Sequence, residues 1–156
     1  MPNKEIENQY NELRKKYKLP EFRDINPEFE ISDLEETSFL LRAIIRRIAE
    51  KLDFHTTMVE EILQPDTSKP YSMHESRFFD EQEKKKMNET YKQLMILSRH
   101  SIEALLAGNE KEEASFINNF ISEWKKIKIE LLSYIQRMKD AWKTEAETKE
   151  DLGYLG

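Results

Sequence analysis

Apolar residues recur along this chain at the spacing of amphipathic helices. Ile6, Tyr10, Leu13 and Tyr17 step by four, three and four positions, which puts them on one face of a first helix. Pro20 steers Leu19 out of the helical region and predicts where that helix stops. Residues 20–31 contain Pro20 and Pro27 and hold no sustained period. They read as a linker tucked down by Phe22, Ile25, Phe29 and Ile31.

Ser32-Asp33-Leu34-Glu35 fits a capping box, in which the serine side chain accepts from the Glu35 amide and Glu35 reaches back. It predicts the start of a second helix, along which Leu34, Leu41, Ile48, His55 and Ile62 recur every seven residues. Ser38, Ile45, Leu52 and Val59 form a companion row, and Leu40, Ile44, Phe54 and Met58 widen the apolar face. Gln64-Pro65 ends it, and residues 64–79 read as an irregular loop. Asp80 and Glu83 predict the cap of a third helix carrying Met87, Tyr91, Leu94, Ser98, Ile102 and Leu105, with Gly108 as its stop. Asn109 then caps a fourth helix over 110–143, whose core row is Phe120, Trp124, Ile127, Leu131, Tyr134 or Ile135, Met138 and Trp142. At 1.5 Å per residue that helix is about 50 Å long. The two-residue connection at Gly108-Asn109 predicts an antiparallel hairpin. The expected fold is all-α: an elongated antiparallel helical bundle of three long helices plus a shorter N-terminal one. Residues 1–143 form a single domain in this reading. Residues 144–156, acidic and then closing on Leu152-Gly153-Tyr154-Leu155-Gly156, form a fraying tail.

Composition narrows the chemistry. With 156 residues, three glycines and no cysteine, the chain lacks the turn punctuation of a β-sandwich, along with disulfides, thiolate catalysis and cysteine-bound metal centres. No apolar run approaches the roughly 20 residues of a membrane span, and Met1-Pro2-Asn3-Lys4 opens no leader, so a cytoplasmic protein is expected. The net charge is −6, and residues 1–78 and 79–156 each hold more carboxylates than cations. A field over the whole surface for nucleic acid is therefore excluded; a local basic stripe is not.

The catalytic patterns known for helical bundles are missing. A di-iron bundle needs Glu-x-x-His, because residues i and i+3 project into one site. The residues three before His55, His74 and His100 are Leu52, Tyr71 and Leu97. A Mg²⁺-holding Glu-Glu-x-x-Glu fails too, since Glu35-Glu36, Glu60-Glu61 and Glu112-Glu113 are followed at that spacing by Phe39, Gln64 and Phe116. The Arg-to-His spacing of helical HEPN-type ribonucleases and every glycine-rich phosphate loop are also absent. No enzyme activity, metal or cofactor is expected.

Two groups of residues attract functional readings. Residues 64–79 bring Tyr71, His74, Arg77, Phe78 and Phe79 together, a mixture of aromatic anchors and polar directors suited to a protein partner. The plain alternative is that Tyr71, Phe78 and Phe79 plug an end of the bundle. Arg42 and Arg46 share a helix face with Arg47 beside them, and could contact a nucleic-acid backbone. The expected function is a non-enzymatic protein–protein interaction module or complex subunit, with a homodimer through the second or fourth helix as one form. A nucleic-acid-associated factor stands second, and a metal- or small-molecule-binding bundle third.

Overall fold

The computed structural model describes residues 4–144. The periods read from the apolar positions are realised as helices over most of that span. The elements are α1 (Lys4–Tyr17), α2 (Phe22–Phe29), a 3-10 turn (Ile31–Asp33), α3 (Leu40–Leu63), α4 (Pro70–Arg77), α5 (Glu81–Ala107) and α6 (Glu110–Lys143). Among the described residues there is no strand, and no helix is long and apolar enough to cross a membrane. Beyond Thr144, the expected C-terminal tail lies outside the described residues.

The local signals for α5 and α6 hold in detail. Asp80 Oδ1 accepts from the Glu83 amide at 2.8 Å, and Glu83 Oε1 accepts from the Asp80 amide at 3.1 Å, a reciprocal box. Gly108 takes φ +69°, and Asn109 Oδ1 accepts from the Glu112 amide at 2.9 Å.

Three expectations need correction. Residues 20–31 are not a linker: Phe22–Phe29 is α2, with Ile25 and Phe29 buried one turn apart and Pro27 tolerated in its last turn. Ser32 does not start the long helix. Its amide donates to Asn26 Oδ1 at 2.8 Å, which ties it to the end of α2, and the chain leaves the 3-10 turn extended at Leu34 (ψ 148°). The helix α3 begins at Leu40, so Leu34 and Ser38 fall outside the rows assigned to them, and Phe54 is exposed. Residues 64–79 are not all irregular either, because Pro70 at the first helical position launches α4.

The chain divides into two compact units. The first comprises Met1–Asp53 and Ile96–Lys125. Its core takes Ile6 and Tyr10 from α1, Ile25 and Phe29 from α2, and Ile44, Ile45 and Ile48 from α3. Phe120 of α6 meets Phe29 edge-on, with ring centroids 5.4 Å apart, and Trp124 one turn later donates Nε1–H to Glu28 at 3.1 Å. Tyr10 donates its hydroxyl to the Pro20 carbonyl at 2.6 Å, and burial pushes that phenol's pKa upward.

The second unit comprises Phe54–Met95 and Lys126–Gly156. Val59, Ile62, Phe79, Met87, Leu94, Ile127 and Leu131 are buried in it. The hydroxyls of Thr90 and Tyr134 share a buried hydrogen bond of 2.8 Å. Glu83 meets Arg137 while Thr90 meets Tyr134, so these stretches of α5 and α6 run in opposite directions.

Gly108 holds a left-handed conformation, and a Cβ added there would meet nothing nearer than the Leu106 carbonyl at 3.8 Å. The cost of Gly108→Ala is therefore backbone strain alone, about 1 kcal/mol. Urea unfolding of the variant checks this, with Gly108→Asn expected to lose less.

Candidate functional site

The helix-end chemistry of the second unit engages several of the residues in 64–79. The last carbonyls of an α-helix have no partner within it. Ser76 Oγ donates to the Ile62 carbonyl at 2.6 Å, and Ser72 Oγ lies 3.5 Å from the Glu61 carbonyl, both in the last turn of α3. His74 is 2% exposed; its Nε2 donates to the Ala141 carbonyl of α6 at 2.7 Å, and its ring lies 4.4 Å from that of Trp142. The short helix α4 thus closes the ends of two longer ones.

Phe78 and Phe79 belong to the same closure. Phe79 is buried, and Phe78 lies beneath the Arg137 guanidinium, 4.5 Å from ring centroid to Cζ. Arg137 also donates to both oxygens of Glu83, at 2.7 and 2.9 Å, and to the Phe78 carbonyl at 3.0 Å. The Arg137 hydrogen bonds, with help from the Asp80 amide, hold the Glu83 carboxyl below its ordinary pKa. Of the five residues expected to offer a binding surface, only Tyr71 and Arg77 are exposed. His74, Phe78 and Phe79 serve the packing instead. The pattern Pro70, Ser72, Ser76, a proline start with hydroxyls one turn apart, was the signal available for this helix.

The arginines expected to share a basic face lie in the first unit and part company there. Arg42 Nη1 donates to the Leu105 carbonyl in the last turn of α5 at 3.0 Å and to Glu113 Oε2 at 3.1 Å. Glu113, in the first turn of α6, is 3% exposed, so its charge is compensated by Arg42 rather than by water. Arg47 Nη1 donates to the Phe29 and Glu30 carbonyls at 3.1 and 3.2 Å, closing the end of α2. Arg46 is exposed and forms no ion pair among the described residues.

These three arginines border an open concavity of about 660 Å³, walled by the extended stretch 34–39 and the first turns of α3. Asp33, Glu35, Glu36 and Glu50 line it as well, so its four carboxylates outnumber the three arginines. Phe39, 66% exposed, stands in its wall. The extended stretch is held by Gln9 Nε2, which donates to the Thr37 carbonyl at 2.7 Å, and by Thr37 Oγ1, which accepts from the Phe39 amide at 3.0 Å. Sequence reasoning missed Phe39 because it was placed inside a helix that starts one residue later. Among the described residues, no group of three or more His, Asp or Glu side chains is arranged to hold a metal.

No family model matches the chain, and neither a curated protein nor a solved structure is significantly similar to it.

Removing Arg42 leaves Glu113 buried and uncompensated, so Arg42→Met is expected to lower stability by about 3 kcal/mol in urea unfolding. The double variant Arg42→Met/Glu113→Leu should regain most of that loss. Acid sensitivity is expected at the Glu83–Arg137 fork. Because the folded Glu83 carboxyl titrates below its unfolded value, its contribution is complete above about pH 4.3 and disappears as pH falls through the folded value. Thermal melts of Glu83→Gln between pH 3 and 6 should show a shallower fall in Tm than the parent.

Proposed function

We propose that this chain is a non-enzymatic interaction module whose first unit docks a segment of a partner protein in the concavity beside Phe39. The observation that carries this reading is the pairing of an exposed aromatic ring with charges of both signs. Arg46, Glu35 and Glu50 all line it and form no ion pairs among the described residues. A polypeptide supplies complements to all of these at once: an apolar side chain against Phe39, and backbone or charged groups for the rest. The antiparallel bundle and the cytoplasmic location expected from the sequence belong to the same proposal.

The nucleic-acid reading draws less support. Two of its three arginines are hydrogen-bonded to the protein's own carbonyls, and the carboxylates around Arg46 oppose a phosphate backbone.

A photo-crosslinking side chain at position 39, compared with one at the exposed position 92, tests the proposal in the native cell. The expected outcome is a protein adduct, identified by mass spectrometry, that forms from 39 and not from 92. It should disappear in Arg46→Glu with the melting temperature unchanged. Adducts with RNA or DNA, and retention on nucleic acid that fades as salt rises, would replace this reading with the second one. An adduct with another copy of the chain would identify the partner as a homodimer.

A further inference from the structure

The helix α6 carries an aligned apolar row that the fold does not cover. In the second unit its inner face buries Ile127, Leu131, Tyr134 and Ala141. On the outer face Ile129 is 69% exposed and Leu132 57%, and Ile135 and Trp142 are also exposed. Steps of three, three and seven residues keep these four on one side of the helix over about 20 Å. Single exposed apolar residues are ordinary on a protein surface, but a row in register is not.

Lysines predominate among the charges along that row, and at its far end Trp142 Nε1 donates to Glu75 of α4 at 3.1 Å. Lys128, Lys139 and Lys143 fall on the same side as the apolar positions. Among the described residues, Lys139 and Lys143 form no ion pair. The nearest carboxylate of α6, Asp140, sits at the edge of the row and accepts from Gln136 Nε2 at 3.4 Å. Glu130 points away and pairs with Lys86 at 3.1 Å.

We infer that this face binds an acidic amphipathic helix of a partner protein, with apolar ridges between Ile129, Leu132 and Ile135 and carboxylates opposite the lysines. Side chains one turn apart form the ridges that a second helix accepts in its grooves. Opposite charge then fixes the sign of the partner. A second copy is the poorer occupant. A two-fold pairing centred between 135 and 136 sets Lys128 against Lys143, and a parallel one sets each lysine against itself. An anionic membrane is disfavoured because the chain as a whole carries −6. This surface stands on observations separate from those at Phe39.

The test uses the full chain and a synthetic peptide of about 18 residues, long enough to span the row, with leucines at helical a and d positions and glutamates elsewhere. Trp142 lies on the face and Trp124 is buried, so a tryptophan-free peptide is followed by the chain's own fluorescence. The expected result is saturable binding, weakened at least tenfold by Leu132→Glu or Ile129→Glu and several-fold by raising salt from about 50 to 300 mM. Both positions are exposed, so the variants should melt with the parent, and Arg46→Glu should bind as the parent does. Equal binding of the peptide with lysine in place of glutamate overturns the inference, as does the absence of binding. It is equally overturned by binding to phosphatidylglycerol vesicles without binding to the peptide, or by a dimer that Leu132→Glu dissolves. Peptide binding that appears only after deletion of residues 145–156, which bring four carboxylates of their own, would assign the face to the chain itself.

Discussion

Every α-helix leaves carbonyl groups unpaired at its C-terminal end, and this protein must satisfy them almost without glycine. Only three glycines occur in the chain, and of these Gly108 alone lies in the described residues, closing α5. Elsewhere the ends are closed from a distance. Arg47 reaches the end of α2, Ser76 that of α3, Arg137 the Phe78 carbonyl after α4, Arg42 the end of α5 and His74 that of α6. Lys18 and Glu30 accept left-handed backbone to turn the chain after α1 and α2, at positions where glycine is the easier residue. Each closure that is buried replaces a desolvation cost of roughly 1–3 kcal/mol per unpaired group by a hydrogen bond.

That constraint decides which polar side chains are left for anything else. The sequence nominates Arg42, Arg47 and His74 for binding, and Arg137 has the same long, polar character. Each is directed onto a carbonyl, and Arg42, Arg47 and Arg137 also meet a carboxylate. What is left over is plainer: Arg46, Glu35 and Glu50 around Phe39, and Lys139 and Lys143 along the outer face of α6. Side chains that close no helix end carry the functional proposals for that reason.

The parts of the fold that were legible in the sequence are those decided within one turn. Asp80 with Glu83, Gly108, and Asn109 with Glu112 place their helix boundaries through contacts of three residues or fewer, but the inward rows read for α5 and α6 hold only in part, since Ile102 is 47% and Trp142 41% exposed. Misread were α2, α4 and the start of α3. Pro20, Pro27 and Pro65 read as breakers, and Pro70 falls in a stretch that reads as loop, yet Pro70 starts a helix and Pro27 sits in the final turn of one. Ser32 has the chemistry of a cap, but Asn26 takes its amide first. The site suffered more. Arg42 finds Glu113 across 71 positions and His74 finds Ala141 across 67, distances over which a single sequence gives no warning.

The two proposed surfaces differ in a way that bears on selectivity. The concavity beside Phe39 is balanced or slightly acidic, so long-range attraction contributes little there, and recognition must come from shape and short-range pairing once contact is made. The outer face of α6 is convex, basic and apolar in alternation, so an acidic partner is drawn before it touches and is then held by burial of Ile129 and Leu132. Lysine suits that role because its stem covers apolar surface while its ammonium stays in water, which keeps the row soluble when nothing is bound. A row of isoleucine and leucine without those lysines would favour self-association. With them, the same row repels its own copy and is left open to a partner of opposite charge.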